Sequence, residues 1–587
     1  PHFYYGKIRF KWESPSGHQL AAYLYIPQNA TKDTPAPGVV TIEGWYNNKE
    51  MQDLYSIELA RRGYVVLALD LHSHGDSESL SIAELYDGAV GVDGAVQLIA
   101  SLPYVDTARI GVTGHSSGGT AANMAVEIDN SRETPLIAAV LQQAGDWQDD
   151  TGGDHSGDYG SRSVGIIAST HDDFYFGTYD DAGNMLTNPA AFMETDGAKK
   201  FLNFNEDGFA GIAEGGKYYT RDFDGKTAYR VIYRPNMIHP LVAFSTTCVG
   251  YAVDFFDTTL GTPKPLPASD QIWPIKAVFN SLGVIGLLIF MVSFTLVLLD
   301  TPVFSALRSG EIVQPAPVQD SGAKAWYWVL LIIGAVFSGS SFLFCMNTVY
   351  SKTTNFFVQT GPLTIGTWAA LCGVFAIFCS AVFYGAYGKK HGWSARRAGL
   401  YLNLEQLWKT IALAVIVIVV SFGLVFAAHY FFQVDYRMYV VAFKTFGADK
   451  VLIALRYLPF FLLFYVMNSI SANCFNYNTI GGKNGNILIF AFFNALGAIF
   501  VVASQYIYFY ATGYQLYGLT EGQRIGPIWL FPCMVLLFVT PIMSRIIYKR
   551  TRNPYIAGLI NAMFIVMISC SNTTTILGGG ELIATTF

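Results

Sequence analysis

The chain has 587 residues, of which 52% are hydrophobic and only 14% charged, and its formal net charge is −6. Composition of this kind excludes an ordinary soluble globule. The net charge conceals two unlike halves: residues 1–270 hold 18 Lys and Arg against 35 Asp and Glu, net −17, and residues 271–587 hold 19 against 8, net +11.

An acidic soluble domain over 1–265 and a basic, apolar domain over 271–587 are therefore expected. A net of −17 repels nucleic acid, so none is expected as a partner. Because the chain begins at Pro1 rather than Met, a preceding signal anchor or further membrane helix is expected. Of seven cysteines only Cys248 lies in the first half, and no disulfide or metal-type spacing is present.

In chain order, "QLAAYLYIP" (19–27) alternates as an early strand. "GVVTIEGW" (38–45) reads as a buried strand stopping at a glycine. "MQDLYSIELARRG" (51–63) is an amphipathic helix closed by Gly63, and "YVVLALD" (64–70) is the next buried strand. A helix is predicted over 84–102. Further strands follow at 109–114, 136–145, 163–170 and 227–235. Apolar strands separated by helices imply a mostly parallel sheet covered on both faces.

"GHSSG" (114–118) falls between the 109–114 strand and a helix starting at Ser117. That is the context in which G-x-S-x-G places a serine nucleophile on a tight turn, with helix N–H groups near a developing oxyanion. The plain alternative is a glycine-rich turn with an incidental serine, but the position favours Ser116 as nucleophile. A serine needs a base and an orienting acid, met in the order serine, acid, histidine. After "GIIAST", "HDDF" offers Asp172 or Asp173. After the last strand, "NMIHP" offers His239, the one histidine between that strand and the final helix of this half.

Here the resemblance to the α/β-hydrolase superfamily is clear, nearest the dienelactone hydrolase, acetyl-esterase and prolyl-peptidase-like branches. "GHQLAAYLYIP" is similar to their early hairpin. "VVTIEGWYNN" resembles the strand that usually ends in His-Gly, and "LDLHSHGDSE" resembles the Asp-x-x-Gly-His-Gly-x-Ser turn. "YVDTARIGVTGHSSGG" resembles the approach to the nucleophile, and "ASTHDDFYF" the turn that carries the acid. The resemblance implies Asp172 as the acid and an oxyanion hole from the backbone N–H groups of Ser117 and Trp45. It covers residues 1–260. Glu43 and Ser169 depart from the family pattern, and the long 172–239 interval suggests an inserted helix and hairpin over the site.

Other features have plainer readings. The loop with Asp146, Asp149, Asp150, Asp154 and Asp158 is oxygen-rich enough to hold Ca²⁺, but its spacing is not that of an EF-hand, and a solvated acidic loop is the expected state. Zinc at His72, His74 and His171 is the lesser alternative, and neither metal nor cofactor is expected. Trp45 and Tyr46 either line an acyl pocket or simply pack. "NAT" (29–31) fits a glycosylation acceptor.

Residues 271–587 resemble no family known to us. Eight apolar runs long enough to cross a bilayer lie near 277–299, 325–350, 364–387, 410–432, 452–470, 487–512, 528–544 and 555–576. Alternating them puts twelve Lys and Arg on one face and only five on the other: Lys352, Arg437, Lys444, Lys450 and Arg524. The richer face is expected to be cytoplasmic. Residues 1–270 then lie on the opposite, extracytoplasmic side of the cell membrane. Polar residues within the runs, such as Ser338, Ser341, Asn347, His429, Arg456, Asn468 and Asn494, and the asparagine-rich turn 468–486, read first as interhelical hydrogen-bonding groups.

The expectation is a multi-pass membrane serine hydrolase of esterase, lipase or acyltransferase type, with peptidase activity less favoured. Its partners are an ester or lipid-linked substrate and the lipid bilayer. The alternative is a transporter, channel or receptor whose hydrolase domain processes or senses cargo.

Overall fold

The computed structural model describes residues 5–149, 153–180, 184–318 and 320–581. A nine-stranded sheet organises the first part: β1 (Tyr5–Glu13), β2 (Gln19–Pro27), β3 (Ala36–Ile42), β4 (Val65–Asp70), β5 (Val105–His115), β6 (Ile137–Gln143), β7 (Ser163–Ile167), β8 (Tyr219–Phe223) and β9 (Lys226–Tyr233). Their spatial order is β1-β2-β4-β3-β5-β6-β7-β9-β8. Strands β3 to β7 and β9 run parallel, and β1, β2 and β8 pair antiparallel at the two sides. Every residue of β3, β4 and β7 is buried, which is why these strands read as unbroken apolar runs.

Helices α1 (Asp53–Arg61), α2 (Val92–Ser101), α3 (Ser117–Asn130) and α4 (Thr246–Leu260) cover the two faces. This is the α/β-hydrolase arrangement expected from the sequence.

Two expectations need correction. The helix expected over 84–102 is broken: one turn at Ile82–Leu85 is separated from α2 by a left-handed stretch in which Gly88, Ala89, Val90 and Gly91 all have positive φ. Glycines at both ends make that reversal accessible, and it brings the Val90 carbonyl to the His72 N–H at 3.0 Å. The hairpin expected over the site instead extends the main sheet as β8 and β9. Arg230–Tyr233 pair in parallel with Val164–Ile167, so the backbone polar groups of this apolar run are satisfied by β7.

Eight helices long and apolar enough to cross a membrane follow. They are α5 (Trp273–Leu299), α6 (Ser321–Thr348), α7 (Thr360–Ala386), α8 (Leu404–Phe432), α9 (Ala448–Ile470), α10 (Gly482–Thr512), α11 (Glu521–Thr551) and α12 (Pro554–Ser571). The asparagine-rich turn after α9 has a structural task. Asn473 and Asn486 accept hydrogen bonds from the buried Arg545 guanidinium at 2.8 and 2.9 Å. Asn468 donates to Asn494 at 2.6 Å. Polar groups among apolar helices thus satisfy one another.

The loops at one end of these helices pack on the sheet domain; of the five cations expected on that face, three have partners on the sheet domain and a fourth, Lys450, has one in the segment after α12. Lys444 pairs with Glu50 at 3.1 Å, Arg437 donates to Asn48 at 2.9 Å, and Lys450 donates to Thr575 at 2.7 Å. Arg524 lies over the Tyr179 ring.

Candidate functional site

Ser116 sits between β5 and α3 with φ 56° and ψ −130°, a conformation a non-glycine residue holds only when its surroundings impose it. The two motif glycines are among those surroundings. A Cβ on Gly118 would lie 2.3 Å from the Glu43 carbonyl oxygen, and one on Gly114 would lie 2.2 Å from the Gly118 backbone. Only glycine permits strand, helix and the β3 loop to approach so closely. The Ser116 N–H donates to Gln143 O at 2.8 Å, fixing the turn to β6.

The two acidic alternatives separate. Asp172 receives His239: Nδ1 is 2.9 Å from Oδ1 and 3.0 Å from Oδ2. Its oxygens also accept from the Phe174 and Tyr175 N–H groups at 3.0 and 2.9 Å and from the Ser169 hydroxyl at 2.9 Å. Ser169, a departure from the family pattern, is thus a further donor to the acid. Asp173 instead accepts the His239 backbone N–H at 3.2 Å. Burial, with the Asp172 charge adding to it, pushes the Asp173 carboxyl well above the usual range.

His239 begins the turn after β9, buried between Tyr175, whose ring stacks on it at 5.8 Å, and Phe174 at 4.9 Å. Sequence reasoning passed over His115, whose ring centroid is 4.8 Å from that of His239 and whose Nε2 donates to His239 O at 3.2 Å. Burial, and then the neighbouring His239, lower His115 to about 3, so it stays neutral. Its place directly before Ser116 was the available signal.

The residues expected to supply the oxyanion donors lie beside the elbow, but one of the two N–H groups is engaged: the Trp45 N–H donates to the Ser117 side-chain Oγ at 3.0 Å. Glu43, where the family has a histidine, accepts from the Leu71 N–H at 2.8 Å. Burial and the adjacent Asp70 push its carboxyl well up.

The histidines considered for zinc do not converge. His74 stacks on Trp45 and meets Thr574 Oγ1 at 3.0 Å, His72 lies edge-on to His18, and His171 rests against Tyr510. In the acidic loop, His155 takes Asp149 at 3.0 Å and Asp158 at 2.8 Å. Burial depresses His155, but these two carboxylates outweigh it and its pKa is raised. Asp150 lies outside the described residues. Among those described, no group of three His, Cys, Asp or Glu is placed to hold a metal ion.

Ser116, Ser117, Trp45 and His239 line one cavity of about 860 Å³. Its roof is the helical domain. Tyr46 meets Tyr350 hydroxyl to hydroxyl at 3.1 Å and Trp529 edge-on at 5.1 Å. Gln515 donates to Asp173 O at 2.7 Å, and Thr574 accepts the Tyr46 N–H at 3.3 Å. The helical domain therefore holds both the loop after β3 and the turn with Asp172 and Asp173.

Residues 4–141 match the family described as esterase FrsA-like. The uncharacterized protein PA2218 of Pseudomonas aeruginosa is 35% identical over 117 residues, 19% of this chain and 31% of that protein. The uncharacterized protein YcjY of Escherichia coli is 25% identical over 138 residues, 23% of this chain and 45% of that protein. The chain thus spans less than half the length of either relative. Among solved structures, the Pyrococcus furiosus esterase Pf2001 aligns over 44% of this chain and 94% of its own, at 12% identity and TM-score 0.29. DcsB, in complex with its substrate analogue, aligns over 43% and 99%, at 12% identity and TM-score 0.30. The N-terminal part is an esterase-like hydrolase domain, and it is joined to eight long apolar helices.

Proposed function

We propose that the protein is a membrane-embedded serine hydrolase acting on esters. The observation that carries this reading is the Asp172–His239 pair, whose histidine shares a cavity with a serine held in a strained elbow. In this mechanism His239 Nε2 takes the Ser116 proton as Oγ attacks the ester carbonyl. Asp172 holds Nδ1–H and stabilises the imidazolium. The Ser117 and Trp45 N–H groups receive the negative charge of the tetrahedral oxygen, Trp45 exchanging its bond to Ser117 Oγ for it. The C–O bond then breaks and His239 returns the proton to the leaving alcohol. Water or a second alcohol, activated by the same histidine, resolves the acyl-enzyme.

The helices span the cell membrane with the hydrolase domain on the extracytoplasmic side. The charge asymmetry supports this, because the loops remote from the sheet hold most of the Lys and Arg. The test is turnover of p-nitrophenyl butyrate by the full chain in lipid nanodiscs. Activity abolished by Ser116→Ala and by His239→Ala is the expected result. Undiminished activity in either variant would refute the mechanism.

A further inference from the structure

The cavity that begins at Ser116 does not end at the sheet domain. Its walls continue along the helices to Trp393, Arg397 and Asn478, at the ends of the helices remote from the sheet. On α7 the lining positions include Ile365, Cys372, Cys379 and Phe383, with Tyr387 just beyond its end. Steps of four and seven residues mark one continuous face of a helix. The lining on and just beyond α7 runs from 361 to 387, about 39 Å at 1.5 Å per residue. That exceeds the ~30 Å hydrocarbon core of a bilayer.

The wall has a definite chemistry. Its charged side chains stand near the two mouths: Glu521 and Arg437 at the hydrolase end and Arg397 at the other. Between them, several polar side chains already have partners. Asn494 donates to Leu537 O and accepts from Asn468, and the Trp368 indole donates to Ser338 O. A bore with mostly apolar walls and no charge in its middle is poorly suited to an ion or a hydrated solute and well suited to hydrocarbon.

We propose that this bore is a binding tunnel for one long acyl chain. The substrate class of the Ser116 site is then a long-chain acyl ester whose carbonyl lies at Ser116 and whose tail runs along α7 toward the far mouth. The substrate assignment rests on the hydrolase reading above; the tunnel as a chain-binding site does not. Each methylene buried gains at most about fourfold in binding, so selectivity for chain length follows.

Two measurements on the full chain in nanodiscs test this. The first is kcat/KM for p-nitrophenyl esters from acetate to hexadecanoate. The expected profile rises at least tenfold from acetate to the long chains. Ala369→Trp and Cys379→Trp replace residues that both line the bore, about 12 and 27 Å along α7 from Gly361; Ala369→Trp should move the cut-off to shorter chains, and Cys379→Trp, beyond the reach of a sixteen-carbon tail held at Ser116, should not. The readout is a ratio of long to short ester within each protein, so a fold defect scales both and leaves it unmoved. A flat profile in the wild type, or a ratio unchanged in Ala369→Trp, would overturn the substrate assignment.

The second measurement needs no turnover. Hexadecanoic acid carrying a terminal diazirine should crosslink to the α7 segment 365–376, with labelling displaced by excess hexadecanoate and lost in Ala369→Trp. Labelling that excess hexadecanoate does not displace, or none on that segment, would overturn the tunnel. Displaceable labelling without ester turnover would uphold the tunnel and remove the hydrolase reading instead.

Discussion

The Trp45 N–H donates to the hydroxyl of Ser117, the residue directly after the proposed nucleophile, at 3.0 Å. An oxyanion formed at Ser116 draws on that same N–H, so the hydroxyl is a resting partner that must give way. Ser117→Ala removes the competitor and leaves the Ser117 backbone N–H in place. Its kcat is expected within about threefold of the wild type, and raised rather than lowered. Removing an oxyanion donor costs about 10²–10³. A loss of that size in Ser117→Ala would mean that the hydroxyl, not the Trp45 N–H, receives the charge.

Asp172 and Asp173 are neighbours with different tasks. Asp172→Asn leaves His239 Nδ1 facing an amide and should lower kcat about 10⁴-fold, with KM little changed. Asp173 is buried, its carboxyl is pushed up, and it meets His239 at the backbone N–H, not at the ring. Its neutral form is close in shape to asparagine, so Asp173→Asn should retain kcat within about tenfold. Steady-state kinetics on the two variants decides, and the reverse ranking would move the acid to Asp173.

The seam between the sheet domain and the helices is sensitive to acid. Burial alone would raise the Asp53 carboxyl, but Lys276 at the start of α5 and Lys7 outweigh it and hold it at about 2. An unfolded aspartate titrates near 3.9. The pairing therefore contributes its full stability, about 2 kcal/mol, above pH 4, and loses it as pH falls toward 2. Thermal unfolding of wild type and Asp53→Asn should differ above pH 4 and converge below it. A gap independent of pH would show that the carboxylate charge contributes nothing.

Sidedness has a direct readout. The native cysteines are buried or half-buried, so a membrane-impermeant maleimide reports on an introduced one. Asp224→Cys, exposed in the β8–β9 turn, should label on intact cells, and Lys389→Cys, exposed beyond α7, only after lysis. The opposite pattern would invert the orientation.

The sequence carried the sheet strands, the elbow and the chain order of Ser116, Asp172 and His239, because each is a local pattern of period, turn chemistry and position. The break within 84–102 was not legible, since Ala89 and Val90 hold positive φ only to complete a turn against His72. The hairpin's place in the sheet depends on β9 finding β7, more than fifty residues earlier. The partners of Trp45 and Tyr46 were hidden for the same reason: Thr574 reaches Tyr46 from the far end of the chain. The bore could not be read from hydropathy, because α7 is apolar on its lining face and its outer face alike. The eight apolar runs, by contrast, were visible as runs, since crossing a bilayer requires length and little else.

The most direct test of Ser116 as nucleophile is covalent capture. The full-length protein in native membranes is treated with a fluorophosphonate, digested and mapped by mass spectrometry. The expected result is a single adduct on Ser116, in the peptide containing "GHSSGG", that is absent in Ser116→Ala and slowed by orders of magnitude in His239→Ala. An adduct on another serine, or labelling that survives Ser116→Ala, would contradict it.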